Sequence, residues 1–525
     1  CESTVCAEGL AQACSRLFEG VQCNSPQAPS LMCFYVHTLV PPFQMNDSNV
    51  ARKLVKNSAW SLISAVSSKA SLVLVGLIVA RLLGPDAFGR FGLIQSVIVL
   101  LGSVVAQSIS TAVSKHVSQC LNVDELRLRR GLGITLGAMV GIALVFALIC
   151  FVNLELFADI VLGSPDSASL VKYVFAVVVL SIFASWIQGG LIGFGRYRSL
   201  ALTNSLGALV SIPFSYWMST RYGVAGAVIS MGAPHISAIL LSGIVLKSEL
   251  KSRGIKVQFV GALAERDAVL LVGMPVLLTG FMASGAMWLG NRVLVTGVDG
   301  FRALGIFSAA LQWNSIFSHV SIVLGSVLVP LLVRGDKGSD RKLQSINVVS
   351  GWLVVLGLAI PFVGFADWIA LLYGQSYVGF EFNAVGACVG MTAVLSAFKG
   401  GIARRMVAEN LAWYSVFSNL IWASMFVSAV YYLRDYGAIG IGLSLVTSQA
   451  VHFILTMPFF LKKGLVPAAL IFSLEAFYIW ISLPLVYVFS ENERGVLLRS
   501  IFFLFVFAGS VLASRSLVRR CSKVA

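Results

Sequence analysis

Charge is what this sequence has least of. Asp, Glu, Lys and Arg make up 12% of its 525 residues, against about a quarter in an ordinary soluble domain. Acidic residues are the scarcer sign, 23 against 38 Lys and Arg. A soluble fold has too little interior to hide the 58% of residues that are hydrophobic, so the excess must face lipid. The mean hydropathy of +0.88 has the same origin. Metal spacing is missing too. Cys120, Cys150, Cys388 and Cys521 are scattered, while Cys1, Cys6, Cys14, Cys23 and Cys33 crowd the first 44 residues. No metal or cofactor is expected. That opening stretch lacks the basic, apolar and small-residue regions of a signal peptide. Met45 then begins a polar lead-in with Arg52, Lys53 and Lys56. Residues 1–44 are expected to be an extension outside the working protein, with a disulfide-bearing extracellular arm as the alternative. The net charge of +15 does not indicate a nucleic-acid partner, because the basic residues lie between apolar runs and not on one face.

What the chain does have is length of apolar sequence. Fourteen runs of about 20 residues can each span a hydrocarbon core of roughly 30 Å. They fall at 58–80, 88–112, 132–153, 170–193, 200–218, 224–246, 269–290, 303–332, 346–365, 378–398, 413–432, 437–460, 466–489 and 496–514. The eighth is long enough to include an extramembrane turn. With the N-terminal side of the first run placed in the cytoplasm, 27 Lys and Arg fall on cytoplasmic segments and 9 on the opposite loops. The positive-inside rule therefore supports fourteen spans with both ends cytoplasmic. The expected fold is an all-α integral membrane protein. No external loop exceeds about 20 residues, so a periplasmic domain is excluded.

The sequence repeats itself. Gly84, Ala87, Gly89 and Phe91 align with Gly300, Ala303, Gly305 and Phe307 at an offset of 216. Tyr222, Gly223, Gly226 and Ser230 align with Tyr436, Gly437, Gly440 and Ser444 at 214, and Gly189-Gly190 with Gly400-Gly401 at 211. Each unit holds six runs, an even number, so both copies enter the membrane from the same side. Such parallel repeats suit alternating access. The expected division is a lobe at 45–260, a second lobe at 261–464, and two further helices with a basic tail at 465–525.

These residues carry a family resemblance. Ala80 to Phe91 (Ala-Arg-Leu-Leu-Gly-Pro-Asp-Ala-Phe-Gly-Arg-Phe) resembles the signature between the first two helices of bacterial polysaccharide exporters. These are the O-antigen (Wzx-type) flippases of the multidrug/oligosaccharidyl-lipid/polysaccharide exporter superfamily. Ser110 to Lys115, Gly193 to Tyr197, Gly273-Met274-Pro275 and Pro330 are similar to that family as well. The resemblance covers about residues 52–460, and the last two runs fit its fourteen-helix members. Many relatives have an acid before the Arg that ends the seventh run; here Asn291 precedes Arg292, which puts cation coupling at that position in doubt. The resemblance implies transfer of an undecaprenyl-pyrophosphate-linked oligosaccharide from the cytoplasmic to the periplasmic leaflet of the inner membrane. That would be a step in lipopolysaccharide or other surface-polysaccharide synthesis, with no bond made or broken. Membrane lipid and other polysaccharide-assembly proteins are the further candidate partners. The alternatives are a flippase for the peptidoglycan lipid precursor, a cation-coupled multidrug exporter, and a membrane glycosyl polymerase or ligase. The exporter would be expected to have an acid in its first helix and about twelve spans. The polymerase or ligase needs a large external loop.

Candidate path residues follow from what a membrane tolerates. Lys69 lies mid-way along the first run, where a lysine costs roughly 2.5–3.5 kcal/mol. It sits at the edge of an arc formed by Ser61, Ser64, Ser67, Ser68 and Ser71. Either this face lines a wet lumen, or Lys69 snorkels or pairs with Glu475, the one acid read as deep in a helix. Arg81, Arg90, Arg292 and Arg302 take equivalent places in the two repeats; they suit phosphate or are ordinary interfacial arginines. Gln312 and Asn314 could bind sugar hydroxyls, although intramembrane amides commonly bridge helices. His235, His319 and His452, with Glu475, are the candidates for proton coupling; the alternative for each histidine is an interhelical hydrogen bond. Lys399 reads as a positive-inside residue, and the phenylalanines of the last run as a lipid-facing or packing surface.

Overall fold

The computed structural model describes residues 48–152, 155, 157–159, 168–334, 340–408, 411–493 and 495–523. The expectation for residues 1–44 lies outside them. Among the described residues all regular structure is helical. The principal helices are α1 (Ser48–Ile98), α2 (Val104–Cys120), α3 (Glu125–Val152), α4 (Ala168–Gly193), α5 (Tyr197–Ser230) and α6 (Gly243–Ser252). They continue as α7 (Met274–Leu294), α8 (Gly300–Arg334), α9 (Asp340–Gly364), α10 (Ala366–Tyr373) and α11 (Phe380–Ala408). The chain ends with α12 (Ala412–Leu433), α13 (Gly437–Lys462), α14 (Leu474–Asn492) and α15 (Val496–Lys523).

Helical backbone underlies most of the length of every apolar run. Eight stretches among the described residues are long and apolar enough to cross a membrane, or up to nine if the bent Tyr197–Ser230 and Ala233–Ser252 pair counts as a span. Two of the eight, Ser67–Cys120 with 54 residues and Val416–Lys462 with 47, have the length for more than one crossing at about 1.5 Å per residue. The protein is therefore multi-pass, with fourteen spans as the expectation from hydropathy and charge. One detail differs: α8 runs unbroken from Gly300 to Arg334, so the eighth run contains no turn.

The repeat is visible in the backbone. Gly223 has φ 56° and ψ −131°, and Gly437 has φ 59° and ψ −132°. Both occupy the same left-handed conformation, which only glycine adopts without strain. One turn on, a Cβ at Gly226 or Gly440 would fall 1.9 Å from the carbonyl of Met218 or Leu433. The duplicated Tyr-Gly-x-x-Gly therefore builds the same sharp corner twice.

In the first half α1 and α5 meet through small polar contacts. The second half has an aromatic centre in which Trp352, Phe398 and Trp480 lie with ring centroids 4.5–5.3 Å apart. The last two helices lean on α9, where Phe503 packs at Gly364 and Phe507 at Gly357. Those two phenylalanines pack between helices, while Phe505 stays exposed.

Candidate functional site

The two repeat motifs pack on each other. A Cβ at Gly89 would lie 1.7 Å from the Phe301 carbonyl oxygen, and one at Gly305 would lie 1.9 Å from the Pro85 carbonyl oxygen. The offset of 216 turns each contact into the other, so they are mates across a pseudo-twofold axis. Gly92 meets its own equivalent, Ser308, and therefore sits on that axis. At this end the backbones of α1 and α8 approach as closely as glycine permits. Arg90 stacks over the Phe301 ring at 5.1 Å, and Arg81 abuts Gly374. Arg302 is exposed and Arg292 half-buried. Thus only Arg90 of the four is engaged by the opposite repeat motif.

Next to this closure lies a cavity of about 360 Å³ between the halves. Its polar lining is neutral: Gln95 and Ser96 from α1, Ser284 and Asn291 from α7, and Ser308, Gln312 and Ser315 from α8. Among the described residues that line it there is no carboxylate. Gln312 presses against Gly76 of α1 and accepts a hydrogen bond from the Tyr373 hydroxyl at 3.2 Å. Tyr373 in turn accepts one from the Trp313 indole at 3.1 Å, so Gln312 is braced from behind. Asn291 is buried, and its Oδ1 accepts no hydrogen bond among the described residues. An orphaned buried oxygen facing a polar cavity is an available acceptor. Tyr373 carried no signal in the sequence, since its partners are about 60 residues away.

Lys69 is half-buried on α1, about one turn before the cavity-lining Leu72. It makes no hydrogen bond or ion pair among the described residues. The His319 Nδ1–H donates to the Ser315 carbonyl at 3.0 Å, and Nε2 has no hydrogen-bond partner among the described residues.

Ser64, Ser67 and Ser71 of the serine arc bond to α5 and are not among the lining residues of this cavity. Ser71 bonds to Ser211 at 2.9 Å, Ser205 donates to Ser67 at 3.0 Å, and Asn204 donates to Ser64 at 2.9 Å. Those serines are the seam between α1 and α5, and Lys69 projects from its edge. Glu475 also differs from expectation. Ser473 caps α14, so Glu475 falls in its first turn, bonded to Ser516 and 3.2 Å from Arg520. It pairs with the basic end of α15 and not with Lys69.

The remaining candidates stand apart. Asn314 Oδ1 is buried with no hydrogen-bond partner among the described residues, and Asn314 is not among the cavity's lining residues. His235 is half-buried, with no hydrogen bond among the described residues. His452 is an interhelical link inside the second half: Lys399 Nζ donates to its Nδ1 at 2.6 Å and to Gln449 at 2.7 Å, while its Nε2 meets Ser418 at 2.8 Å. Lys399 therefore points into the bundle and is not an interfacial charge. At the end of the protein opposite the glycine closure, Arg196 of the Gly-Phe-Gly-Arg motif bonds to Glu249 at 2.7 Å, as does Arg253. Burial pushes the Glu249 carboxyl up, and the two guanidiniums more than reverse that, holding it below the usual carboxylate value.

Comparison with known proteins agrees with this architecture. The profile of the family described as polysaccharide biosynthesis protein matches residues 54–336, more than half of the chain. The chain belongs to the polysaccharide biosynthesis protein family. No curated protein sequence matches it. Among solved structures, the lipid II flippase MurJ in an inward closed conformation is similar at a TM-score of 0.67 and 13% identity, covering 88% of this chain and 100% of that one. An inward-facing multidrug resistance MATE transporter of the MOP superfamily gives 0.63 and 15%, covering 78% and 98%. A MOP-superfamily transporter from Pyrococcus furiosus gives 0.54 and 16%, covering 78% and 95%. This member of the polysaccharide biosynthesis family shares their fold.

Proposed function

We propose that the protein is a flippase that moves an undecaprenyl-pyrophosphate-linked oligosaccharide, an O-antigen or other surface-polysaccharide repeat unit, across the bacterial inner membrane. The observation that carries this reading is the seam between the halves: a neutral, hydroxyl- and amide-lined cavity, with Lys69 about one turn from its lining Leu72 and no carboxylate among the described lining residues. Amides and hydroxyls such as Gln312, Asn291 and Ser308 match sugar hydroxyls. Lys69 matches a pyrophosphate, which a carboxylate would repel. A multidrug cation exporter would need the opposite polarity. A cavity of about 360 Å³ lies near the lower end of small-molecule sites, so a repeat unit passes only when the halves part.

In this proposal residues 45–260 and 261–464 move as two lobes, with the glycine seam closing the periplasmic side. The basic end and both termini lie in the cytoplasm. The protein binds and releases, and makes or breaks no bond. A flippase for the peptidoglycan lipid precursor is the second reading, supported by the likeness to MurJ over 88% of the chain. Both substrates carry a pyrophosphate and sugars, so their difference is one of cargo.

The test is deletion of the gene followed by analysis of lipid-linked sugars in each leaflet. Accumulation of complete repeat units on the cytoplasmic side with normal peptidoglycan supports the proposal. Normal surface polysaccharide overturns it, and arrested peptidoglycan synthesis favours the second reading. At matched expression, Lys69→Ala is expected to lower surface display roughly 10- to 100-fold, the value of one charged hydrogen bond, and Lys69→Arg to retain most of it. Unchanged display in Lys69→Ala removes this lysine from the path.

A further inference from the structure

A second recess lies away from the seam, where α6 ends beside α4. It has a volume of about 570 Å³. Trp186 and Ile187 of α4 and Leu246, Leu250 and Ile255 form its apolar surface. Lys247, Lys251 and Lys256 line it too, and all three are exposed. None of these lysines makes a hydrogen bond or ion pair among the described residues. The acid on the same helix, Glu249, is buried and held by Arg196 and Arg253, so it neutralises none of them.

The repeat supplies a control for this arrangement. The turn after α6 and the turn after α13 have the same geometry. Gly254 has φ 66° and Gly464 φ 65°. The amide of Ile255 bonds to the Leu250 carbonyl, and that of Leu465 to the Phe460 carbonyl, at 3.0 and 2.9 Å. That register, an offset of 210, places Met457, Leu461 and Val466 where the first half has Lys247, Lys251 and Lys256. In the second half the positions after the turn are buried: Leu465, Val466 and then Leu470. Both halves meet the demand for positive charge at this end, the second with Lys462 and Lys463. At this register the first half has three lysines around an open apolar recess, and the second half has none.

We infer that this recess binds an anionic glycerophospholipid from the leaflet at the basic end of the bundle. An acyl chain and glycerol cover the apolar floor, and the phosphate lies among the three ammonium groups. A free phosphate would leave the floor bare, and a zwitterionic lipid would bring its own cation to the lysines. The site is separate from the seam, so it does not depend on the transported cargo.

The test uses the full-length protein purified in detergent, with phosphatidylglycerol or phosphatidylcholine added. Binding is read by thermal unfolding and by native mass spectrometry. Phosphatidylglycerol is expected to raise the unfolding temperature and remain bound in the gas phase, and phosphatidylcholine to do neither. The variant K247Q/K251Q/K256Q should bind phosphatidylglycerol about a hundredfold more weakly, at roughly tenfold or less per lysine. K251Q alone should give a partial loss, and K462Q/K463Q should bind as the wild type does. Equal binding by the triple variant, or equal binding of phosphatidylcholine, overturns the inference. So does the same stabilisation by inorganic phosphate, which would make this a site for a free anion.

Discussion

In the first half of the chain, α1 and α5 meet through hydroxyls and one amide: Ser71 on Ser211, Ser205 on Ser67, Asn204 on Ser64. In the second half the buried links carry charge. Arg499 donates to the carbonyls of Glu493, Ser490 and Gly364 and lies 3.7 Å from Asp367. Asn383 ties Asp367 to Glu491, Arg404 binds Asn347 and Ser321, and Lys399 binds His452. Neutral hydroxyl bonds between membrane helices are each worth about 0.6 kcal/mol. Breaking a buried charged link costs several times more. The α1–α5 seam of the first half thus rests on weak neutral bonds, with the Glu249 ion pairs at its basic end, while the second half is a frame to which the last two helices are fastened by charge.

Arg499→Ala should show that contrast most strongly. It leaves three carbonyls short of a donor and should cost about 3–5 kcal/mol, read as a lower unfolding temperature and loss of α15 packing. A loss below about 1 kcal/mol would mean the frame is not pinned there. Gly89→Ala tests the contact between the halves, because its methyl would meet the Phe301 carbonyl. A penalty of about 1–3 kcal/mol against the closed arrangement is expected, measured as weaker disulfide trapping between cysteines placed at Gly92 and Ser308. Gly305→Ala should act alike; unequal effects would break the pseudo-twofold symmetry.

Glu249 gives the first half a pH signature. Its carboxyl is held below the usual value, so its stabilisation is present above the unfolded value of about 4.3 and is lost as pH falls through the lower folded value. Glu249→Gln should flatten that part of the acid unfolding curve, and an unchanged curve would assign the acid sensitivity elsewhere. The smallest effect belongs to Ser71→Ala, at about 1 kcal/mol or less. A larger loss would mean that the hydroxyl seam is as rigid as the charged frame.

The misread residues show where sequence reasoning stops. The serine arc of α1 is polar with helical period, as expected, but periodicity identifies a polar face and not what touches it. Here the partner is α5 and not water. Lys399 looked interfacial because it follows an apolar run, and only the packing of α11, α12 and α13 shows Gln449 and His452 waiting for it. Glu475 looked deep because apolar residues precede it, whereas the extended backbone of Ser473 starts a new helix just before it. Gln312 lines the cavity, and its brace, Tyr373, depended on a contact 61 residues away.

Composition and hydropathy by themselves determined that this is a helical membrane protein, because each apolar span must satisfy its own backbone in lipid. Internal similarity likewise settled the duplication, down to the corner that Gly223 and Gly437 both turn. Which polar residues face a cavity and which face another helix was decided by tertiary structure alone. Both environments accept the same side chains at the same spacing, and only the approach of a neighbouring helix removes the water. The closing of Gly89 on Phe301, and of Gly305 on Pro85, belongs to that second kind of knowledge. The repeat supplied both glycines, and the fold brought them face to face.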